Sequence, residues 1–235
     1  MADRPRAVLL DVGGIFHLPD HDRVLGALAR GGYTARADDL DRAHYCGALQ
    51  FTCDYEGELP WRDFWRQYLE AYARACGVPD ASYADVHEHL DAEFATGGLW
   101  SRVIPGSVEG LGTLAATGVA LGVVSNADGS VAARLREQEV LQVGPGLGVE
   151  VTCVIDSGEV GVEKPDPRIF LLALDAVGVE AHEAWYIGDM PGIDVVGARA
   201  AGLRPFVMDP YELHRDADYE TVASLVELAA LVTGP

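Results

Sequence analysis

Lysine is nearly absent from this chain. Its 235 residues include 17 basic side chains, and Lys164 is the sole lysine, so 17 less 1 leaves 16 arginines. Positive charge of either kind is scarce: against those 17 stand 37 acidic residues, for a formal net charge of −20. Such a surface excludes nucleic acid and anionic membranes as partners. It leaves room for a small anion, because one local cation reverses the field inside a pocket. Cysteine is limited to Cys46, Cys53, Cys76 and Cys153. With no CxxC pair and no histidine at zinc spacing, they read as reduced thiols of a cytoplasmic protein, not as a disulfide framework or a zinc site. No apolar run is long enough to span a bilayer. The start, "MADRPRAVLL", lacks the long apolar stretch of a secretory leader. Internal repeats and low-complexity linkers are missing too.

Apolar residues, at 49%, are enough for a full core. They gather in short continuous runs: "AVLLDV" (7–12), "VALGVV" (119–124), "VTCVI" (151–155), "AWYI" (184–187) and "RPFVM" (204–208). Continuous runs, as opposed to alternating ones, predict strands buried on both faces of a parallel sheet. Between them lie helical patterns, such as "PDPRIFLLALDAVG", that start near Pro or Ser and stop at Gly. The alternation predicts an α/β, doubly wound, mostly parallel Rossmann-like sheet. Residues 18–98 break it, with helical patterns and no convincing strand. There "PWRDFWRQYLEAYARACG" sets Phe64, Trp65, Tyr68, Leu69, Tyr72 and Cys76 on one stripe, which is a packing face. The expected division is a core of 1–17 and 99–235 with an all-helical cap at 18–98.

In an open parallel sheet, ligands bind beyond the carboxyl ends of the strands. Polar residues follow those ends here: Asp11 after the first run, Ser125 and Asn126 after the second, Lys164 in the loop after the third, Asp189 after the fourth and Asp194 a turn later. Each alone is an ordinary turn former, helix cap or surface charge. Together, in this order, they form the set that phosphoryl transfer through a carboxylate needs. Asp11 can attack phosphorus. Attack of anion on anion requires positive charge, and Mg²⁺ held by carboxylates is a natural source. Asp11 and Asp189 are the candidate ligands, with Asp194 beside them. Lys164, a compact point charge, and the Ser125 hydroxyl would take the remaining phosphate oxygens.

With these residues in view, the chain resembles the haloacid dehalogenase superfamily of hydrolases along its whole length. The four motifs of that superfamily match "LLDVGGI" (Asp11 as nucleophile), "VVSNA" (Ser125), "EKPDPRIF" (Lys164) and "YIGDMPGIDVVGARAAG" (Asp189 and Asp194). Residues 18–98 sit where the family inserts its helical cap. The resemblance implies a Mg²⁺-dependent phosphatase acting on a small phosphorylated metabolite. One position departs from the pattern. Family phosphatases usually carry a second Asp two residues after the nucleophile, as general acid; here it is Gly13, whose carbonyl can still bind Mg²⁺. General acid catalysis contributes about 10²–10⁴-fold, so good leaving groups, such as sugar 1-phosphates, are implied. A phosphatase subgroup with Gly at this position is similar. His17 is the candidate replacement acid, and Gly13, Asn126, His17 and Arg42 are the candidate substrate contacts. Tyr33, His44, Tyr45 and Trp65 are further possible contacts in the cap.

Two alternatives stay open. Dehalogenases of the family tolerate a non-acid at position 13 and use a cap arginine, for which Arg42 is the candidate; the intact acidic fourth motif speaks for phosphate. A catalytically weakened phosphate-binding relative is the other. Schiff-base phosphonate hydrolysis needs a cap lysine, and the cap has none. Oligomeric state is not legible.

Overall fold

The computed structural model describes residues 4–50 and 61–234, with side chains from Trp65 onward in the second stretch. Cys53 and the Phe64 side chain lie outside that description. The chain opens with β1 (Ala7–Leu10), whose four apolar residues are all fully buried. A short β2 (His17–Pro19) leads into four helices, α1 (His21–Arg30), α2 (Ala37–Ala48), α3 (Trp61–Ala75) and α4 (Tyr83–Phe94), and β3 (Trp100–Val103) leads out. Strand and helix then alternate. First come α5 (Ser107–Ala116), β4 (Ala120–Ser125), α6 (Val131–Glu137), β5 (Leu141–Val143), β6 (Val149–Val151) and β7 (Cys153–Asp156). There follow α7 (Ser157–Val160), α8 (Pro167–Val177), β8 (Ala184–Gly188), α9 (Pro191–Ala200), β9 (Arg204–Met208), β10 (Glu220–Val222) and α10 (Leu225–Thr233).

Six strands form one sheet in the order β10-β9-β8-β1-β4-β7, parallel at every pairing. Side chains alternate across it, as strand geometry requires. Val8 and Leu10 of β1 pack with Leu111 and Leu114 of α5 and Leu225 and Leu228 of α10. Ala7 and Leu9 pack on the other face with Ile169 and Phe170 of α8 and Ala198 of α9. Helices therefore cover both faces, which is why the strands read as continuous apolar runs. The helix signals also have local causes. The Asp166 side chain caps α8 by accepting from the Arg168 amide at 2.9 Å, Pro167 fills its first turn, and Gly178 ends it at φ 70°.

The helical segment has its own core. Val24 and Leu28 of α1, Leu40 of α2, Tyr68, Leu69 and Tyr72 of α3, and Val86 and Leu90 of α4 pack together. Ile193 of α9 joins them, so these helices sit over the carboxyl edge of the sheet. Gly47 lets α2 approach α3: a Cβ there would lie 2.7 Å from the Tyr68 ring.

The structure differs from the sequence expectation in three places. β2 and β3 pair antiparallel at the two ends of the helical segment, so the expected boundary at 17/18 falls inside a strand. Three- and four-residue strands are too short to show a period, and their partners are far apart in sequence. The run "VTCVI" is two strands, because Val151 pairs with Val143 in a separate two-stranded sheet while Cys153 pairs with Gly122 in the main one. At the edge, β10 adds a sixth strand that its largely exposed residues did not announce.

Candidate active site

The parallel topology places β1 between β4 and β8, where the chain's crossovers turn to opposite sides and a crevice opens. Asp11 follows β1, and its amide still donates to the Ile187 carbonyl at 2.9 Å. Ser125 is the last residue of β4, Asp189 follows β8, and Asp194 lies in the first turn of α9. These residues, with Lys164, line one cavity of about 360 Å³.

Lys164 is 3% exposed and fully engaged. Its Nζ lies 2.9 Å from Asp11 Oδ2 and 2.8 Å from Asp194 Oδ1, and it donates to the Tyr186 hydroxyl at 2.9 Å. Its backbone is held as well: Asn126 Oδ1 accepts from the Lys164 amide at 2.7 Å and Asn126 Nδ2 donates to the Lys164 carbonyl at 2.9 Å. Asn126 lines the cavity, and each end of its amide makes one bond to Lys164, with a second N–H and a second lone pair left over. It clamps the Lys164 backbone from within the cavity wall.

Asp194 stands beside the candidate ligands in a fully bonded state. Oδ1 accepts from Lys164 Nζ and from the Tyr186 hydroxyl, and Oδ2 accepts from the amides of Asp189 and Met190. Two bonds on each oxygen exhaust a carboxylate's acceptor sites. Asp194 shapes the loop that presents Asp189 and offers a cation little that is free. Two glycines make this packing possible. A Cβ on Gly188 would sit 2.2 Å from the Asp194 carboxylate, and one on Gly14, at φ 64°, would sit 2.5 Å from that of Asp189.

Charge in the crevice is unbalanced. Asp11, Asp189 and Asp194 each place an oxygen within 4.8 Å of the others, against the single ammonium of Lys164. Burial, partly offset by Lys164 and reinforced by Asp194 and Asp189, pushes the Asp11 carboxyl up to about 7. Burial also raises Asp189, while the facing His44 draws it back. An all-oxygen donor set with surplus negative charge fits a hard divalent cation.

The helical segment reaches into the site. His44 of α2, fully buried, brings Nε2 to 2.7 Å from Asp189 Oδ2, within ion-pair distance. Its neighbour Tyr45 donates its hydroxyl to the Gly14 carbonyl at 2.7 Å. Neither lines the cavity, nor does Tyr33; Trp65 does, with Phe94 and Trp100. Arg42 is exposed on α2 and lies outside the cavity lining, so the structure does not bring it together with the other candidate contacts. Gly13 faces the Trp100 ring, 3.7 Å from where a Cβ would stand. His17 lines the cavity and sits 2.5 Å from Gln138 Oε1 through Nε2. Burial pulls its pKa below the ordinary histidine value, which works against its carrying a leaving-group proton at neutral pH.

A family model described as haloacid dehalogenase-like hydrolase matches residues 7–202. The chain belongs to this family. It is 40% identical over 228 residues to the phosphoglycolate phosphatase of Rhodospirillum rubrum, covering 96% of this chain and 86% of that protein. It is 52% identical over 67 residues to the phosphoserine phosphatase of Thermus thermophilus, a match that spans 28% of this chain and only 27% of that protein. Among solved structures, a HAD phosphatase from Thermococcus onnurineus superposes with a TM-score of 0.55 at 23% identity, covering 97% of this chain and 98% of that one. At that identity the likeness is one of fold.

Beyond the motifs of this hydrolase family, the site holds residues that sequence reading passed over. Tyr186 was only a strand residue, although a buried tyrosine hydroxyl usually finds a partner, and that was the available signal. Arg134 and Trp100 line the cavity and carried no motif. Asp156 accepts from the amides of Gly129, Val131 and Gly158, fixing the loop after Ser125. His44 stood among possible substrate contacts, and its actual partner is Asp189.

Proposed function

We propose that this protein is a Mg²⁺-dependent phosphomonoester hydrolase that works through an aspartyl-phosphate on Asp11. The observation that carries this is the crevice charge: three carboxylates around one lysine favour a cation and a phosphate over a bare carboxylate substrate. Mg²⁺, held by Asp11, the Gly13 carbonyl and Asp189, would offset the charge of nucleophile and phosphate together.

Asp11 Oδ2 is held by Lys164, which leaves Oδ1 for attack. The Asp11 oxygen bonds to phosphorus as the ester P–O bond breaks, and the alcohol oxygen departs with that electron pair. Water then attacks the same phosphorus, the bond to Asp11 breaks, and inorganic phosphate leaves. The Ser125 hydroxyl, 5% exposed in the cavity wall, would donate to a phosphate oxygen. With Gly13 in place of an acid, the leaving oxygen must be weakly basic, so small metabolites such as sugar 1-phosphates are favoured. The phosphatase names of the relatives support the reaction class.

The chelated protein, resupplied with and without Mg²⁺, should be assayed against sugar phosphates, other phosphomonoesters and 2-haloacids. Mg²⁺-dependent phosphate release is expected. Dehalogenation of 2-chloropropionate that survives chelation would overturn the proposal.

A further inference from the structure

The Asp189 carboxylate is gripped from the cap by a side chain that belongs to none of the family motifs. His44 places Nε2 2.7 Å from Asp189 Oδ2. The imidazole is itself braced. Its Nδ1 lies 2.9 Å from the Tyr68 hydroxyl of α3. The rings of Tyr45, Tyr68 and Trp100 stand edge-on to it at centroid distances of 4.8, 6.0 and 5.2 Å. On its other flank Asp189 packs against Gly14, where a Cβ would come within 2.5 Å. The Gly14 carbonyl is in turn held by Tyr45 at 2.7 Å. Two consecutive residues of α2 thus hold Asp189 and the Gly14 backbone against which it packs. His44 is outside the cavity lining, so it meets Asp189 and not the substrate.

We propose that His44 is a positioning residue for the cation site: it holds the Asp189 carboxylate in place, and so makes metal affinity depend on the seating of α2 against the core. The proposal rests on the metal-dependent hydrolase reading for the cation alone. Outer partners that orient a ligand are worth 10–100-fold in metal affinity as a rule. Coupling is reciprocal, so a bound cation must also strengthen the docking of α2. The histidine would report cap position to the metal site without touching substrate.

Mg²⁺ binding is measured by calorimetry on the native chain, His44→Ala, Tyr68→Phe and, as a control, Asp38→Asn, whose side chain is 83% exposed on the same helix. Hydrogen exchange of the α2 amides is followed with and without Mg²⁺. His44→Ala should weaken Mg²⁺ binding on the order of 10–100-fold and abolish the Mg²⁺-induced slowing of exchange in α2. Tyr68→Phe keeps the ring, removes the hydroxyl behind Nδ1, and should weaken binding less, in the same direction. Asp38→Asn should change neither. Native affinity in His44→Ala would overturn the proposal. Tighter binding would do so too, by showing that the imidazole competes with the cation for Asp189. If His44→Ala does not fold, Tyr68→Phe decides by the same criterion. A native chain that binds no Mg²⁺ refutes the metal-dependent reading itself, a result distinct from equal binding by native and variant.

Discussion

Replacing Lys164 by methionine removes the ammonium while keeping a straight apolar stem in its slot. Three groups lose their partner at once: Asp11 Oδ2 at 2.9 Å, Asp194 Oδ1 at 2.8 Å and the Tyr186 hydroxyl at 2.9 Å. Breaking a buried ion pair from one side costs about 3–5 kcal/mol, because the other charge is stranded. For a chain of this size each kcal/mol shifts Tm by about 2–4 °C, so the metal-free variant should melt roughly 6–20 °C below the native protein. Mg²⁺ should restore part of that loss, since it returns positive charge to the same carboxylates. Activity should respond in a set direction as well. Burial already raises Asp11 to about 7 with Lys164 holding it down. Without the ammonium the carboxyl rises further and is protonated at neutral pH, so the acid limb of kcat/KM moves to higher pH. Thermal unfolding with and without Mg²⁺, and a pH–rate profile, measure both effects. A Lys164→Met variant that melts within about 2 °C of native and keeps the native acid limb would refute the reasoning. Lys164→Arg should fail to rescue, because a planar fork cannot occupy a slot with three partners around one atom; full activity there would show that charge alone matters.

Other outcomes follow from neighbouring residues. Gly13→Asp has room for its Cβ beside Trp100, and the variant should flatten the dependence of kcat/KM on leaving-group pKa across aryl phosphates. A native enzyme with an already flat slope would mean that another group supplies the proton. Gly14→Ala forces a side chain into a left-handed conformation and against the Asp189 carboxylate. It should cost about 1–3 kcal/mol in thermal unfolding and lower Mg²⁺ affinity on the order of 10–100-fold; native affinity would show that Asp189 is not placed by this packing. The raised Asp11 value sets a pH dependence. In the metal-free protein the folded state keeps a proton that the unfolded state gives up between 3.8 and about 7. The stability due to Asp11 is therefore complete below that window and lost as pH rises through it. Mg²⁺ must displace this proton, so calorimetry in buffers of different ionisation enthalpy should show proton release at about pH 6 that fades by about pH 8. Equal heats in all buffers would contradict the raised value.

Sequence alone determined the architecture of the core. Apolar runs buried on both faces cannot alternate, and Pro, Asp and Gly mark helix ends through local backbone geometry, so "AVLL", "AWYI" and "DPRIFLLALDAVG" announced β1, β8 and α8. It also determined which residues reach the crevice from the ends of the parallel strands, because in this topology a strand's last residues face the switch point. Asp11, Ser125, Lys164, Asp189 and Asp194 all line the same cavity. Tertiary structure alone decided what each side chain does there. Asp194 read only as a companion of the metal ligands, and the structure shows its four bonds holding the Asp189 loop, Tyr186 and Lys164, while Asn126 clamps the Lys164 backbone. Arg42 and His44 lie two residues apart on α2; one faces solvent and the other closes on Asp189. Helical period tells which residues share a face, but it does not tell what that face meets. The partner of His44 is 145 residues further along the chain, by the difference of the two positions. A contact that distant exists only after β8 and α2 have been brought together by packing, and no local pattern encodes it.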